Sequence, residues 1–345
     1  MQPLVGKIEL IVGPMFAGKT TEMLRRVARA ELAHRRCVVM KYCKDNRYSQ
    51  ENVSTHDLEM RKAIPCNTLL PYLDECMTYD VIGIDEGQFF PDVVEFSESL
   101  ANIGKVVIVA GLDGTFQRKP FGRVLELISR CEVLTKLTAV CTITGSEAPY
   151  SARIVESKDI ELIGGSETYR AASRSAFFGK QIKGEIHLTL GPVQSGKTTE
   201  TLRILNRHHI AGRKPIFIIP TDGQPLKKTP PFKVIQCDKL PDITSLDEYD
   251  VIGVDEAQKY EGLTDWADNL ANNGKLVVIS ALEGDTNRNP YPEIIKLFPC
   301  CEKVNKLDSI CPITGLPAPF NVVSEASKVI PISRVALLQK ALGAL

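Results

Sequence analysis

The chain has 345 residues, of which 43% are hydrophobic and 24% charged, a composition typical of globular proteins and too apolar for a disordered chain. Its 42 basic and 42 acidic side chains cancel, so net charge does not indicate nucleic acid as the main partner. No apolar run approaches the roughly 18 residues of a membrane span, and we expect no signal peptide before the first predicted strand. The 10 cysteines fit reduced thiols better than the disulfide framework of short secreted chains, so we expect a cytoplasmic protein without a membrane partner.

The first half alternates short apolar runs with amphipathic stretches, the pattern of a parallel sheet covered by helices. Strands are predicted at residues 8–12, 37–42, 81–84 and 106–110, and a helix at 20–33. Pro91 can open a further helix at its first position, and Gly104 can close it in a left-handed conformation. The expected fold class is therefore α/β.

The sequence also contains an internal repeat. GPMFAGKT at residues 13–20 recurs as GPVQSGKT at 191–198, and both segments fit the phosphate-loop pattern G-x-x-x-x-G-K-[ST]. The strand pattern repeats as well, at residues 186–190, 215–219, 251–254 and 276–280. We predict two tandem domains, residues 1–180 and 181–345, and a length of about 100 to 200 residues per domain gives the same number.

The first phosphate loop predicts a nucleotide site. Its glycines allow main-chain amides to approach the phosphates of ATP, and the positive end of the following helix favours an anion. Lys19 would neutralise phosphate oxygens, and the Thr20 hydroxyl would bind magnesium. The predicted ATP-binding residues are Gly13, Met15, Phe16, Ala17, Gly18, Lys19, Thr20 and Thr21.

Two carboxylates, Asp85 and Glu86, follow the apolar run at 81–84. Asp85 stands where a second Walker motif is expected to hold magnesium, and Glu86 is placed to accept a proton from an attacking hydroxyl. An alternative is that one of the two is only a solvated loop charge. The phosphate loop upstream favours a phosphoryl-transfer site.

Four motifs together narrow the substrate: the phosphate loop, DEGQFF at 85–90, LDGTFQRKPF at 112–121, and IGG at 163–165 followed by Tyr169. In this order and spacing they resemble the type II, cytosolic thymidine kinases, over about residues 6–178. The resemblance implies ATP- and magnesium-dependent transfer of the γ-phosphate to the 5′-hydroxyl of thymidine. It also implies a RecA-like parallel sheet flanked by helices, with a small lasso subdomain.

The resemblance implies roles for individual residues. Glu86 matches the catalytic base, and Arg153 matches an arginine that steadies the transferring phosphoryl group. A flat base binds well between apolar and aromatic faces, although a single aromatic residue more often belongs to a core. The residues that match the thymidine pocket and its covering lasso are Met15, Phe89, Leu112, Thr115, Phe116, Phe121, Ile160, Leu162, Gly164 and Tyr169.

The first half departs from similar enzymes at a structural zinc site, which those enzymes build from two C-x-x-C pairs. Here the first pair reads CTIT from Cys141, and the second reads SRSA from Ser173. A single remaining ligand is too few for a tetrahedral zinc site. We predict that zinc is absent and that Cys141 is a lone remnant.

The second half keeps the parts of a candidate second nucleotide site: Gly191, Gly196, Lys197, Thr198, Asp255 and Glu256. At the substrate positions Lys259 replaces Phe89 and Asp285 replaces Thr115, so we expect no thymidine pocket. We align the lasso with the segment from Arg334 onward and expect the chain to end before a second zinc pair. The favoured interpretation is a pseudokinase domain with a structural or regulatory role, and a kinase for another nucleoside is an alternative.

Similar enzymes work as homotetramers, so we expect a homodimer of tandem chains that forms a pseudotetramer. Two other functions stay open. One is a broader pyrimidine deoxynucleoside kinase that also accepts deoxyuridine, because a methyl group gives only about 1 to 3 kcal/mol of discrimination. The other is a RecA-like ATPase or nucleotide-dependent binding module in which Glu86 activates water, which would need a basic surface for nucleic acid.

Overall fold

The computed structural model describes residues 5–44, 52–54, 60–157, 159, 162, 164–223, 226 and 228–342. The chain divides into two compact units, unit 1 with Met1–Ser173 and Arg334–Leu345, and unit 2 with Arg174–Ser333. The polypeptide therefore leaves unit 1 after Ser173 and returns to it at Arg334. The division into an active domain, 1–180, and a degenerate domain, 181–345, concerns activity as well as boundaries and stays a prediction.

Unit 1 is an α/β unit with short 3₁₀ turns between its main elements. Its strands are β1 Lys7–Gly13, β2 Cys37–Tyr42, β3 Asn52–Ser54, β4 Met60–Lys62, β5 Ile64–Cys66, β6 Val81–Ile84, β7 Val106–Leu112, β8 Val133–Lys136, β9 Ala139–Val140, β10 Glu147–Ala148, β11 Tyr150–Arg153 and β12 Tyr169–Ala172. Its first three helices are α1 Lys19–Leu32, α2 Leu73–Cys76 and α3 Val93–Asn102. Six strands form a parallel sheet in the order β5-β2-β6-β7-β1-β8.

Helices cover both faces of this sheet. Side chains alternate between the faces along each strand, so that Ile108 of β7 joins Met23 and Val27 of α1 in one core cluster, while its neighbours point the other way. Helix α3 packs against β1 and β7 from that other side. Full burial of a Met or Val side chain stabilises the fold by about 1.5–3 kcal/mol each relative to exposure, and this burial fixes α1 over the sheet.

The carboxyl ends of three neighbouring strands meet at one edge of the sheet. Strand β1 ends at Gly13, β6 at Ile84 and β7 at Leu112, and β7 lies between the other two. In open parallel sheets, ligands bind in the crevice outside these ends. The topology therefore brings the phosphate loop, the Asp85-Glu86 pair and the 112–121 motif to the same edge.

A small antiparallel region follows the sheet of unit 1. Strands β9 and β10 form one pair, and β11 and β12 form another in which Arg153 lies opposite Tyr169. We call the connection between β11 and β12, residues 154–168, the lasso. It is described only in part, and Ile160 of the predicted pocket lies outside the described residues.

Unit 2 repeats this architecture. Its strands are β13 Glu185–Leu190, β14 Pro215–Ile219, β15 Lys233–Gln236, β16 Val251–Val254, β17 Leu276–Ala281, β18 Lys303–Lys306, β19 Ser309–Ile310, β20 Pro317–Ala318, β21 Phe320–Val323 and β22 Val329–Ile332. Its helices are α4 Arg174–Phe178, α5 Lys197–Ile210, α6 Leu263–Asn272 and α7 Pro292–Leu297, and the last helix of the chain, α8 Arg334–Ala341, belongs to unit 1. The parallel sheet has the order β15-β14-β16-β17-β13-β18, equivalent to that of unit 1.

The predicted α/β fold class is confirmed by the two six-stranded parallel sheets flanked by helices. The predicted strands and the first helix differ from the observed ones by at most two residues at an end. The prediction that Gly104 ends a helix is confirmed, since its φ is 89°. The prediction for Pro91 is wrong: α3 begins at Val93, because Asp92 has a non-helical φ of −108° and its carboxylate accepts the amides of Leu69 and Leu70.

Strand pairing corrects our alignment of the second lasso. Val323 lies opposite Val329 in the β21–β22 pair, as Arg153 lies opposite Tyr169 in β11–β12, so Val329 and not the segment after Arg334 is equivalent to Tyr169. The connection in unit 2 is the short turn 324–328, closed by a 2.7 Å hydrogen bond from the Ser324 amide to the Lys328 carbonyl. Deletion within the lasso had shifted the spacing that the sequence alignment assumed.

The whole described part of the chain contains no helix long and apolar enough to cross a membrane. None of the ten cysteines, all of which lie in the described part of the chain, forms a disulfide bond.

Candidate active site

The phosphate loop of unit 1 connects β1 to α1. Gly13 has φ +155°, and a Cβ there would lie 2.4 Å from the Leu137 carbonyl oxygen, so only glycine fits. Gly18 (φ 77°) and Phe16 (φ 67°) are left-handed, and for Phe16 this conformation is uncommon in a non-glycine residue. The sequence predicted the glycines from the motif, whereas the conformation of Phe16 has no sequence signal.

Lys19 begins α1 and its ammonium group lies over the loop. The Lys19 Nζ donates a hydrogen bond of 2.7 Å to the Pro14 carbonyl oxygen. This contact holds the lysine across the loop, where it can reach a phosphate oxygen with little loss of conformational freedom. Of the other predicted ATP-binding residues, Ala17 precedes the helix and Thr21 lies exposed in its first turn.

Thr20 and Asp85 form the part of the site that suits magnesium. The Thr20 Oγ1 lies 3.1 and 3.2 Å from the two carboxylate oxygens of Asp85, and Asp85 is only 8% exposed. Magnesium prefers hard oxygen ligands and usually takes one or two protein groups together with phosphates of a substrate. A hydroxyl and a carboxylate within hydrogen-bond distance beside a phosphate loop fit that requirement. The described residues include no group of three or more His, Cys, Asp or Glu side chains that could hold a metal ion by themselves.

Glu86 follows Asp85 in a left-handed conformation, with φ 55°. Its carboxylate accepts a hydrogen bond of 2.6 Å from the Gln88 Nε2, and the Gln88 Oε1 accepts one of 2.9 Å from the Leu112 amide. Gln88 is 3% exposed, so a buried amide fixes the glutamate relative to β7. Sequence reasoning assigned no role to Gln88. Its place two residues after the predicted base was the available signal.

A buried ion pair joins the loop after β7 to the end of β8. The Lys136 Nζ and an Asp113 carboxylate oxygen are 2.6 Å apart, and both side chains are almost inaccessible to solvent. Removing one partner of such a pair would leave a buried charge, which is strongly unfavourable. The pair therefore fixes the start of the 112–121 motif against the end of β8.

The predicted thymidine-pocket aromatics fall into two groups. Phe89 contacts Phe121 edge to face, with ring centroids 5.4 Å apart. It also stacks on Tyr42 at 4.7 Å, a residue that the sequence reasoning missed because β2 carries no motif. These three half-buried or buried rings form the first group, and such arrangements are favourable for aromatic pairs.

The second group surrounds Arg153. Its guanidinium carbon lies 3.8 Å from the centre of the Phe116 ring, within the range of a cation–π interaction. The Arg153 Nη2 donates to the Tyr169 hydroxyl at 2.7 Å, and that hydroxyl donates to the Leu162 carbonyl at 3.0 Å. The Arg153 Nη1 donates to the carbonyls of Ser157 and Asp159. Arg153 thus connects two carbonyls of the lasso to Tyr169 of β12 and to Phe116 of the 112–121 motif.

Met15, Thr115 and Gly164, three further residues of the predicted pocket, help to fix the loops of the site. The Met15 amide donates to the Ser151 hydroxyl at 2.9 Å, which joins the phosphate loop to β11. The Thr115 Oγ1 accepts the amides of Gln117 and Lys119, so this hydroxyl stabilises its own loop. A Cβ at Gly164 would lie 2.2 Å from the Thr168 Oγ1, which explains the glycine in the lasso.

The family model described as "Thymidine kinase" matches this chain twice, over residues 6–177 and 184–333. The chain belongs to the thymidine kinase family. The resemblance found in the four motifs is confirmed at the level of the family, and the two matched segments agree with two copies of its fold.

Individual relatives agree with this assignment. The chain is 53% identical over 186 residues to "Thymidine kinase 1" of Dictyostelium discoideum, which covers 52% of this chain and 82% of that protein. It is 51% identical over 175 residues to "Thymidine kinase, cytosolic" of Homo sapiens, covering 51% of this chain and 74% of the relative. It is 51% identical over 174 residues to "Thymidine kinase" of Vaccinia virus (strain Ankara), covering 50% and 98%.

Unit 2 keeps the phosphate-loop geometry of unit 1. Gln194 has φ 61° and Gly196 has φ 88°, close to the equivalent angles in unit 1. The Lys197 Nζ donates to the Pro192 carbonyl at 2.6 Å, and the Thr198 hydroxyl donates to Asp255 at 2.7 Å. Burial lowers the pKa of Lys197, although the nearby carboxylates of Glu283, Asp255 and Glu256 act in the opposite direction.

Glu86 and Glu256, the glutamates that follow β6 and β16, differ in their side-chain contacts. Glu256 has φ 48°, as Glu86 has 55°, but its carboxylate lies 2.7 Å from the Lys259 Nζ. Lys259 also pairs with Asp222 at 2.8 Å. At the position of Lys259 unit 1 carries Phe89, an uncharged ring. Gln258 keeps its bond to the Leu282 amide at 3.1 Å.

The two halves of the sequence carry the same residues at the four positions where the motif resemblance implied zinc ligands. In the first half of the sequence these positions hold Cys141, Thr144, Ser173 and Ala176, and in the second half they hold Cys311, Thr314, Ser333 and Ala336. The expectation that the chain ends before the second pair of positions in the second half is therefore wrong, because Ser333 and Ala336 occupy them. The Thr and Ser hydroxyls are 3.0 Å apart in each unit.

The residues at these positions do not fit a zinc ion. Burial raises the pKa of the Cys141 thiol, but hydrogen bonds from Ser173 and Thr144 outweigh it and lower the pKa to about 6. The equivalent bonds lower the pKa of Cys311 to about 7. Protein donors thus stabilise the thiolate form of each cysteine, and one sulfur ligand is insufficient for tetrahedral zinc.

Proposed function

We propose that this chain is an ATP-dependent thymidine kinase and that the reaction takes place in unit 1. The observation that carries the proposal is the arrangement of Thr20, Asp85 and Glu86 beside a complete phosphate loop in a member of the thymidine kinase family. Phosphoryl transfer requires donors around the phosphates, ligands for magnesium and a group that prepares the nucleophile, and unit 1 supplies each of these.

In the proposed reaction, the loop amides and Lys19 bind the phosphates of ATP, with Lys19 exchanging the Pro14 carbonyl for a phosphate oxygen. Glu86 accepts the proton of the thymidine 5′-hydroxyl, and the oxygen bonds to the γ-phosphorus. The bond between that phosphorus and the β–γ bridging oxygen breaks, so the products are dTMP and ADP. Thr20 and Asp85 would hold magnesium, which neutralises charge on the phosphate oxygens when bound.

The substrate side of the proposed site uses the two aromatic groups. Phe89, supported by Tyr42 and Phe121, offers an apolar face to a pyrimidine ring. Arg153 was predicted to steady the phosphoryl group, but its contacts with lasso carbonyls and Tyr169 favour a role in shaping the lasso over the base. We therefore propose that Arg153 is a positioning residue for thymidine binding.

The C-terminal half is proposed to bind nucleotide without transferring phosphate. Its phosphate-loop contacts support binding of the triphosphate. Two features oppose transfer to thymidine: the ion pair of Glu256 with Lys259, and the five-residue turn that replaces the lasso. A structural or regulatory role of this half is the interpretation that these contacts favour over a kinase for another nucleoside.

We also propose that the chain acts in the cytoplasm as a homodimer of tandem chains. The support is the human relative, named as cytosolic, and the preference of oligomers for closed symmetry. Light scattering of the purified chain would measure its molar mass directly.

The test of the proposed activity is thymidine phosphorylation by the full chain beside two matched variants, Glu86→Gln and Glu256→Gln. Glu86→Gln should lower kcat by about 10² to 10⁴, the usual contribution of a general base, because an amide cannot accept the proton. Glu256→Gln should leave kcat unchanged. Full activity of Glu86→Gln would refute the assignment of the base.

One further substrate, deoxyuridine, and a reaction without nucleoside decide between the alternatives in the same assay. Equal kcat/KM for deoxyuridine and thymidine would indicate a broader pyrimidine kinase, since one methyl group separates them. ADP release that does not depend on any nucleoside would indicate an ATPase in which Glu86 activates water. Thymidine-dependent ADP release in a one-to-one ratio with dTMP supports the kinase.

A further inference from the structure

Two buried arginines stand at equivalent places in the two halves of the sequence. Arg174 lies two residues after the end of β12, and Arg334 lies two residues after the end of β22. They are 4% and 3% exposed. Arginine is almost never fully buried unless it is paired, so each must have an extensive set of acceptors.

Arg334 finds its acceptors in unit 1. Its Nε and Nη2 bind the two carboxylate oxygens of Glu132 at 2.6 and 3.2 Å, its Nη1 binds the Asn102 side chain at 2.8 Å, and its Nη2 binds the Arg130 carbonyl at 2.7 Å. The fork of the guanidinium therefore joins the end of α3 to the segment that enters β8. A bidentate arginine–carboxylate pair is among the strongest hydrogen-bonded contacts.

Glu132 connects this arginine to the strand of the phosphate loop. Its Oε2 accepts a hydrogen bond of 2.7 Å from the Ile8 amide, at the start of β1. Ile8 is fully buried, and β1 runs from this point to the phosphate loop at Gly13. Without Arg334, Glu132 would be a partly buried carboxylate with fewer donors, and its hold on β1 would weaken.

Arg174 makes the equivalent set of contacts in unit 2. It binds Glu302 at 2.8 and 3.1 Å, Asn272 at 3.0 Å and the Cys300 carbonyl at 2.8 Å, and Glu302 accepts the Ile186 amide at the start of β13 at 2.6 Å. Unit 2 adds one contact, to Asp268 at 2.6 Å. In unit 1 the equivalent carboxylate, Glu98, pairs with Arg130 instead.

We propose that Arg174 and Arg334 are reciprocal anchors, each completing the unit that the other half of the sequence forms. Unit 1, with the candidate kinase site, then depends on the last helix of the chain, and unit 2 depends on α4. The kinase unit would be complete only when the C-terminal half has been synthesised. This gives the second half a structural function that needs no catalysis, and the inference does not depend on the proposed reaction.

The experiment is hydrogen exchange of the full chain, read on the peptides that contain Ile8 and Ile186, without substrate. Arg334→Ala should accelerate exchange of the Ile8 amide by about tenfold or more, because its acceptor loses a charged partner, and should leave Ile186 unchanged. Arg174→Ala is the matched control and should do the reverse. Arg334→Lys should give an intermediate acceleration, because lysine keeps the charge but not the fork.

The crossed pattern decides the proposal. Unchanged exchange at Ile8 in Arg334→Ala would overturn it, and so would equal acceleration at both peptides in both variants. If Arg334→Ala does not yield folded protein, Arg334→Lys takes its place, and acceleration confined to Ile8 supports the anchor while wild-type protection at Ile8 refutes it.

Discussion

The two units place the same dipeptide, an aspartate followed by a glutamate, after the same strand, and the aspartates do the same thing. Asp85 and Asp255 each accept a hydrogen bond from the threonine of their phosphate loop. The glutamates have nearly the same left-handed backbone but different contacts, a neutral amide for Glu86 and a lysine for Glu256. Backbone geometry was therefore retained where the side-chain environment of the glutamate changed.

The difference teaches where the constraint on a phosphate loop lies. The left-handed residues of the loop, and the close approach of Gly13 to Leu137 and of Gly191 to Leu307, allow little variation of its backbone. Both units therefore keep the same backbone path. The substrate side depends on side chains and on a long connection, and there unit 2 has Lys259 and a short turn. The phosphate-loop backbone and the side chains on the predicted substrate side can thus change separately.

After the variants of Glu86 and Glu256, the largest difference in kcat is expected between variants of Gln88 and Gln258. Gln88→Leu should lower kcat by about tenfold to a hundredfold, because Glu86 loses the donor that orients it, which is part of the general-base contribution. KM for ATP should stay unchanged. Gln258→Leu removes the equivalent bond to the Leu282 amide and is the matched control.

The pH profile of kcat, and not the separation of kcat from KM, distinguishes a misoriented Glu86 from partial unfolding of the sample. A merely structural loss would reduce the active fraction and leave the pH profile of the remaining activity unchanged, whereas a misplaced Glu86 should shift that profile. Equal kcat in Gln88→Leu and wild type would show that Glu86 needs no such support.

The second prediction concerns the phosphate loops. If both loops bind ATP, equilibrium dialysis of the full chain should give two sites, and Lys19→Ala and Lys197→Ala should each leave one. Each affected site should weaken by at least about tenfold, because an ammonium–phosphate contact is a charge-assisted hydrogen bond. One site in the wild type that persists in Lys197→Ala would mean that unit 2 does not bind nucleotide.

The sequence predicted the parts of this molecule that local patterns encode. The phosphate loops, the strands and the carboxylates after β6 carry motifs or apolar runs, and the parallel sheet follows from their alternation. The contacts of Gln88 and Tyr42 were not predicted, because they depend on residues brought together by the sheet. It was not predicted either that the helix beginning at Arg334 belongs to unit 1, since nothing in a local pattern indicates which unit this helix joins.

The smallest expected effect concerns the lasso, where unit 1 has Arg153 and unit 2 has Val323. Arg153→Ala should raise KM for thymidine by about threefold to tenfold, because the lasso loses donors to its carbonyls and the cation–π contact with Phe116. kcat at saturating thymidine should change little. Val323→Ala is the matched control and should alter neither constant.

The two constants separate the two roles assigned to Arg153. A residue that steadies the transferring phosphoryl group acts on the transition state, so its loss lowers kcat with little change in KM. A residue that shapes the lasso acts on the bound base, so its loss raises KM. Since the Arg153 guanidinium donates to Ser157, Asp159 and Tyr169, it would have to leave these acceptors to reach a phosphate, and a fall in kcat alone would show that it does so.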